Sequence, residues 1–359
     1  MPREPSAERR SAAPEATASG PRIPFTKVEG LGNDFVVIDL RPGEPTLADG
    51  AGTEQGAEGA GGWLLGSPGR ITAICDRHFG IGADGILAIL PPSLPPSSTP
   101  SGAAGGADAR MRVLNADGSE AEMCGNGIRC VAKVLFDRDP ALRREVLTID
   151  TGAGLLACKI DAKDGEATTV TVDMGAPQLL PRLVPVASDA ARLVRAPLPA
   201  LDREFAFTAV SMGNPHAVIF VDNPTAKLRE LAAKYGPGIE TDPRFPRRAN
   251  VEFALVRKAN PEQPEIDLVV WERGCGITLA CGTGACATVV AACLEKRVPA
   301  DREIPVHLPG GTLFITAKAA PAASDGPSFS SVAMRGPANI VFEASIDPSA
   351  IKLPDLVRS

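Results

Sequence analysis

Met123-Cys124-Gly125-Asn126-Gly127-Ile128-Arg129 and Ala280-Cys281-Gly282-Thr283-Gly284-Ala285 are two versions of one phrase, a cysteine followed by a glycine-rich turn. Apolar residues at helical spacing follow each: Ile128, Val131, Val134 and Leu135 after the first, Ala285, Val289, Ala292 and Cys293 after the second. Each phrase therefore predicts a helix with a cysteine at its N-terminus, one in each half of the chain. The segments upstream are doubled too. Gly32-Asn33-Asp34-Phe35-Val36-Val37-Ile38-Asp39 is matched by Gly213-Asn214-Pro215-His216-Ala217-Val218-Ile219-Phe220-Val221-Asp222, both glycine-led and β-rich. Asn33 precedes Cys124 by 91 positions and Asn214 precedes Cys281 by 67, so the first copy is longer by 24, about one loop insertion.

Two such insertions are visible, a Gly/Ala-rich run from Gly43 to Gly69 and a Pro/Ser/Gly-rich run from Pro91 to Gly106, reaching about residue 108. With the tail over residues 1–22 they lack periodicity. Apart from Trp63-Leu64-Leu65 they hold few large apolar residues, so they are expected to lie outside the core, the insertions as loops. Strands are predicted over Met111–Leu114, Val146–Asp150, Val170–Asp173, Ile266–Trp271 and Thr312–Ala317, where β-branched or alternating patterns dominate. The result is an α+β protein of two pseudo-symmetric lobes. Each is a mixed or antiparallel, barrel-like β-sheet wrapped around a central α-helix.

Bulk properties narrow the function classes. The chain has 359 residues, 44% of them apolar, enough for two domains of ordinary size. With 37 basic against 43 acidic residues, 4% aromatics and no basic stretch interleaved with aromatics, nucleic acid is excluded as a partner. Eight cysteines are too dilute for a disulfide scaffold in a chain of this size, and no Cys-x-x-Cys pair suggests a metal, so none is expected. Cys130, Cys158, Cys286 and Cys293 read as small core residues, and a reducing cytosol is the setting they suggest. The uncharged run from Ile277 to Leu294 approaches membrane-span length, but its glycines, threonines and alanines fit a buried helix better, so no membrane partner is expected. The tail from Met1 to Gly20 lacks the apolar core of a secretory signal, and Glu4, Glu8 and Glu15 argue against a plastid transit peptide.

A thiol at a helix N-terminus lies near unpaired N–H groups and the positive end of the dipole, which favours thiolate. Gly125, Asn126 and Gly127, with Gly282, Thr283 and Gly284, offer two sets of donors that together suit a carboxylate. Abstracting a proton beside a carboxylate adds charge to a group already anionic, and convergent N–H donors stabilise that charge. One thiolate as base and one thiol as acid on opposite faces of a carbon would invert it, with no pyridoxal cofactor. From the residues alone, two alternatives stay open: tight turns with buried thiols, or a thiol pair serving as a redox switch.

The longer context resembles a known family. Asn115-Ala116-Asp117-Gly118-Ser119-Glu120-Ala121-Glu122-Met123-Cys124-Gly125-Asn126-Gly127-Ile128-Arg129 is similar to the first signature of the diaminopimelate epimerases. Glu272-Arg273-Gly274-Cys275-Gly276-Ile277-Thr278-Leu279-Ala280-Cys281-Gly282-Thr283-Gly284-Ala285 is similar to the second. Gly32-Asn33-Asp34-Phe35, Gly80-Ile81-Gly82-Ala83-Asp84, Gly213-Asn214-Pro215-His216 and Asn250-Val251-Glu252-Phe253 fall in the family's order, and the likeness runs from about Ile23 to Ile346. It implies a cofactor-independent cytoplasmic isomerase interconverting LL- and meso-2,6-diaminopimelate, on the route to lysine and peptidoglycan, and a homodimer.

By the same resemblance Cys124 and Cys281 transfer the proton, Cys124 as donor and Cys281 as acceptor for the LL substrate. His216 and Glu272 support catalysis. Asn33, Asn115, Gly125, Asn126, Asn214, Asn250, Glu272, Arg273, Gly282 and Thr283 contact substrate. Chemically, Arg273 can grip a carboxylate with two hydrogen bonds and Glu272 can pair with an ammonium. The implied lobes are 23–170 with 337–359, and 171–336, with the site in the cleft between. The chain departs from the family at Gly85, where some members carry a substrate-contacting glutamine, at Ile277, where an acid is usual, and at Phe342, where some carry a tyrosine linked to dimer formation. The nearest rivals are other racemases of the fold, of the proline, hydroxyproline or histidine type.

Overall fold

The computed structural model describes residues 22–42, 60–93, 106–223, 225–257, 262–323 and 326–352. Most of the tail and of both insertions lies outside these residues. The first half runs β1 (Ile23–Gly30), β2 (Asn33–Asp39), α1 (Ala60–Leu65), α2 (Pro68–Cys75), β3 (Gly85–Leu90), β4 (Ala109–Asn115), β5 (Glu120–Ala121), α3 (Gly125–Arg138), β6 (Val146–Thr151), β7 (Gly154–Lys163) and β8 (Glu166–Asp173). The second runs β9 (Ala196–Ala200), β10 (Arg203–Ser211), β11 (Pro215–Phe220), α4 (Leu228–Glu240), β12 (Asn250–Arg257), β13 (Glu265–Glu272), β14 (Gly276–Ile277), α5 (Gly282–Leu294), β15 (Glu303–Leu308), β16 (Gly311–Ala323) and β17 (Gly326–Pro337). A last strand, β18 (Asn339–Ile346), follows.

Strand pairing repeats the duplication. In the first half β18 pairs β1, β1 pairs β2, β2 runs parallel to β3, β3 pairs β4, β4 runs parallel to β6, and β6–β7–β8 form a meander. In the second, β9 pairs β10, β10 pairs β11, β11 runs parallel to β12, β12 pairs β13, β13 runs parallel to β15, and β15–β16–β17 form a meander. The short hairpin partners correspond as well, β5 on β4 and β14 on β13. The two series meet where β8 pairs β17 antiparallel. A line drawn at 170/171 or at 336/337 therefore passes through a strand, since β8 continues to Asp173 and β17 to Pro337.

The middles of the β2–β3 and β11–β12 parallel pairs are largely apolar because both of their faces are covered. Phe35, Val37, Leu87 and Ile89 turn inward onto Ile128 and Val131 of α3, while Val36, Ile38 and Ile86 turn outward onto Leu64 of α1 and Ile71 and Ile74 of α2. In the second half Val218 and Ala254 face α5, and Ala217, Ile219, Val251 and Phe253 face α4. Each sheet thus wraps one central helix and carries an outer helical layer.

That outer layer corrects one expectation. The run from Gly43 to Gly69 is not loop throughout: residues 60–65 form α1 and Pro68 opens α2, with Leu64 fully buried. Leu64 caps an apolar sheet face that would otherwise meet water. The predicted strands and both cysteine-led helices are present, with Cys130, Cys158, Cys286 and Cys293 buried. No described helix is long and apolar enough to cross a membrane.

Candidate active site

Cys124 is the N-cap of α3 and Cys281 the N-cap of α5, both in extended backbone conformation. The sulfurs are held alike: Gly127 N–H donates to Cys124 Sγ and Gly284 N–H to Cys281 Sγ, each at 3.4 Å. A sulfur capping the third N–H leaves the earlier N–H groups of the first turn, on Gly125, Asn126, Gly282 and Thr283, to a ligand. The two helix starts abut. A Cβ placed on Gly125 would stand 3.8 Å from Gly282 Cα and 3.0 Å from Met334 Cε, and one on Gly282 would meet Met334 Sδ at 3.0 Å. A side chain at either glycine would press on the end of Met334, so the two positive helix ends meet above that methionine with little room to spare.

Amide bonds tie the halves together at this point. Asn126 Nδ2 donates to Asn33 Oδ1 at 3.2 Å and, across the divide, to the carbonyl of Ala280 at 3.1 Å. Asn33 opens β2 and anchors its own Nδ2 on Asp84 at 2.7 Å, which leaves Oδ1 facing Cys124 Sγ at 3.9 Å. Its counterpart Asn214 donates to Thr283 Oγ1 at 3.3 Å, and that hydroxyl lies 3.5 Å from Cys281 Sγ. Gly32 and Gly213, immediately before the two asparagines, both have positive φ, 80° and 97°, which turns each asparagine into place.

His216 is fully buried on β11, with Nδ1 at 2.7 Å from Glu252 Oε1 and Nε2 at 2.8 Å from Asn214 Oδ1. Through Asn214 its ring joins the hydrogen bonds that reach Thr283 beside Cys281. Glu272, at the end of β13, accepts from the Thr278 hydroxyl and also lies within hydrogen-bond reach of the Cys281 thiol. Burial pushes Glu272 above the usual carboxylate range, against the hydrogen bonds from Thr278 and Cys281.

The structure brings Cys124, Cys281, Gly125, Asn126, Gly282, Thr283, Asn33, Asn214 and Glu272 to one place, with His216 directly behind. The other three expected residues sit differently. Asn250, buried, accepts from Arg273 N–H at 2.9 Å and donates to the Pro215 carbonyl at 3.2 Å, so its amide holds backbone. Arg273 is exposed, its guanidinium donating to the Arg247 carbonyl and making no ion pair among the described residues. Asn115 ends β4 and donates to Ser119 Oγ within its own turn. Gly85 faces Asn115 across the β3–β4 ladder, where a Cβ would lie 2.6 Å from the Leu114 carbonyl oxygen, so this backbone leaves no room there for a side chain.

The expectation that the helix ends favour thiolate is overturned. Burial raises the Cys124 thiol, with the Gly127 and Asn126 N–H groups pulling the other way, and raises Cys281 further, where Glu272 and Glu252 add their charges. Desolvation outweighs the dipole. Three residues in the quoted motifs had been given no role. Glu252 lies fully buried beside His216, Asp84 anchors Asn33, and Arg129 lies fully buried behind Asn126. The available signal was a charge inside an apolar run.

A groove of about 540 Å³ lies at the far end of α5, lined by residues including Cys293, Lys296 and Phe329, and contains neither reactive cysteine. Among the described residues no group of His, Cys, Asp and Glu is arranged to hold a metal.

Comparison with known proteins fits this geometry. A family model described as diaminopimelate epimerase matches residues 25–180 and 208–341. A diaminopimelate epimerase of Desulfitobacterium hafniense is 42% identical over 91% of this chain and 99% of its own. One from a Synechococcus strain is 43% identical over 90% and 98%. Among solved structures, a hydroxyproline epimerase from Agrobacterium vitis superposes with a TM-score of 0.59 at 16% identity, covering 90% of this chain and 91% of its own, which shows the shared fold.

Proposed function

The chain belongs to the diaminopimelate epimerase family, and from its two opposed cysteine-capped helix ends we infer that it interconverts LL- and meso-2,6-diaminopimelate by a two-base mechanism without a cofactor. The observation that supports the mechanism is the close approach of Gly125 and Gly282, which brings the two cysteine-capped helix starts together; we infer that the capping sulfurs face the substrate carbon from opposite sides. The α-carboxylate lies against the N–H groups of Gly125, Asn126, Gly282 and Thr283, which stabilise the charge that builds there as the α-proton leaves. For the LL substrate the Cys281 thiolate takes that proton and the Cys124 thiol delivers its own to the opposite face. The enzyme is left as Cys281 thiol and Cys124 thiolate, the form that runs the reverse direction.

The surroundings support these roles. Asn33 Oδ1, an acceptor, suits a protonated Cys124, while the Thr283 hydroxyl can donate to an ionised Cys281. Glu272, within hydrogen-bond reach of the Cys281 thiol, is placed to orient it. The exposed guanidinium of Arg273 is the group for the distal carboxylate. His216 and Asn250 serve as positioning residues, and Asn115 shapes the turn beside the entrance.

We place the site between lobes of residues 23–170 with 337–359 and 171–336, and the enzyme in the cytosol on the route to lysine, in keeping with eight free cysteines. A homodimer is supported by β18, whose outer edge has no partner among the described residues and whose Val341 and Phe342 are 57% and 45% exposed. The test is incubation with LL-diaminopimelate in deuterated water. Meso product carrying deuterium at the α-carbon is expected. Its absence, with turnover of a proline-type or histidine substrate instead, would replace this reading with a rival one.

A further inference from the structure

Arg129 is 0% exposed, yet among the described residues no carboxylate bonds it. Its guanidinium donates to the Gly125 carbonyl at 3.1 Å, Asn126 Oδ1 at 3.0 Å and the Pro337 carbonyl at 3.3 Å, with Met334 Sδ at 3.7 Å. Glu29, a carboxylate whose charge reaches it, accepts instead from Gly32 N–H and Asn339. The side chain also folds back toward the N-terminus of α3, the positive end of that helix, where a cation is unfavourable. The chain leaves room for it all the same. A Cβ on Gly30 would press on Arg129 Nη2 at 3.3 Å, and one on Gly336 would press on Nε at 3.2 Å. Stability alone does not account for a buried, unmatched cation at a positive helix end.

We propose that Arg129 is a positioning residue of the epimerisation, orienting Asn126 and supplying the charge that the anionic reacting centre balances. The orientation follows from donor and acceptor logic. Guanidinium can only donate, so Asn126 must turn Oδ1 toward it. Its Nδ2 is then committed to Asn33 Oδ1 beside Cys124 and to the Ala280 carbonyl beside Cys281. Asn33 in turn must direct Nδ2 to Asp84. One directed chain from Arg129 to Asp84 therefore sets the groups next to both sulfurs. The charge follows from what faces the helix ends. Burial lowers the guanidinium pKa from its ordinary value but supplies no counterion. Its field reaches Cys124, where it favours the thiolate. A substrate carboxylate on the first turns of α3 and α5, more negative still in the transition state, is the missing partner.

This deepens the epimerase reading and rests on it, and wild-type turnover measured alongside tests that reading by itself. Arg129→Met and Arg129→Lys are compared by kcat and KM for LL-diaminopimelate, with folded fraction from thermal melting. Removing one preorganised group of this kind costs about 10²–10³ in kcat. For folded Arg129→Met a fall of at least about 100-fold is expected, larger than any rise in KM. Arg129→Lys, which keeps charge but cannot bond Gly125, Asn126 and Pro337 together, should regain about tenfold of that loss. Should the Met variant fail to fold, the Lys variant decides, with at least about a tenfold fall in kcat expected. A smaller fall in the deciding variant, a loss carried wholly by KM, or a loss matching the unfolded fraction overturns the proposal.

Discussion

The N-terminal turns of α3 and α5 share a backbone plan but differ in everything around it. Cys124 keeps a partly open face and looks onto an asparagine carbonyl oxygen, with a buried arginine one turn behind. Cys281 is 5% exposed, looks onto a hydroxyl, and has two acids near enough to hold its thiol up. The helices differ likewise, since α3 carries Arg129, Lys133, Asp137 and Arg138 whereas α5 carries no charge. Duplication supplied two equivalent sulfurs, and divergence of their neighbours made the settings unlike: Glu272 bears on both thiols, Arg129 offsets it at Cys124, and Glu252 adds to it at Cys281. Cys281 is accordingly held up further than Cys124.

The sharpest way to break this comparison is to delete each sulfur in turn. Cys124→Ala and Cys281→Ala should each lower epimerisation by at least about 10³-fold, as expected for loss of a positioned proton-transfer group. They should still differ in isotope exchange. Cys124→Ala retains the base for the LL isomer and should wash its α-proton into solvent, whereas Cys281→Ala should wash that of the meso isomer. Exchange of the same isomer by both variants would erase the distinction between the two settings.

A smaller effect is expected behind Cys281. Glu252 Oε2 is buried without a hydrogen-bond partner among the described residues, and burial raises the carboxyl above its usual range against the pull of His216. Glu252→Ala strands the His216 ring and should lower unfolding free energy by about 1–3 kcal/mol, read by denaturant titration. Because Glu252 serves only the Cys281 side, alkylation of Cys124 by iodoacetamide should keep its rate. A slowed Cys124 reaction would show the two settings to be coupled.

The effect least connected with catalysis concerns thiols that the chemistry does not use. Cys75, Cys130, Cys158, Cys286 and Cys293 are all pushed up to about 12 by burial, from 9.0. Between those values the unfolded chain has released protons that the fold retains, so stability falls as pH rises and is fully present below 9.0. The slope approaches about 1.4 kcal/mol per pH unit per thiol at its steepest. Unfolding midpoints from pH 8 to 11 should decline, and Cys158→Ala should decline less steeply than the wild type. Parallel slopes would remove burial as the cause.

What the sequence disclosed was whatever it wrote twice. The two cysteine phrases and the paired asparagines were legible because turn, cap and helix are local and the repeat checks each copy against the other. The helix α4 was not, because Gly236, Pro237 and Gly238 interrupt its pattern, and Gly236 is required where a Cβ would stand 2.6 Å from the Trp271 ring. Trp63-Leu64-Leu65 stands out as the apolar exception in a loop-like run, and only the sheet face that receives Leu64 shows it to be part of a helix. The direction of the thiol shifts was equally hidden, since local reasoning sees the helix dipole and burial is set by residues far along the chain. Arg129 and Glu252 stood in plain view within recognised motifs, but what makes them unusual is the partner each lacks, and only packing reveals that.

The β8–β17 ladder has one more consequence. The polypeptide leaves the first half at the end of β8 and returns at the end of β17, and those two crossings lie side by side, Ala333 against Asp173 and Pro337 against Thr169. A slip of one residue along that ladder would break its hydrogen bonds and turn every side chain of β8 to the opposite face of the sheet, so the two crossings are held in a single register.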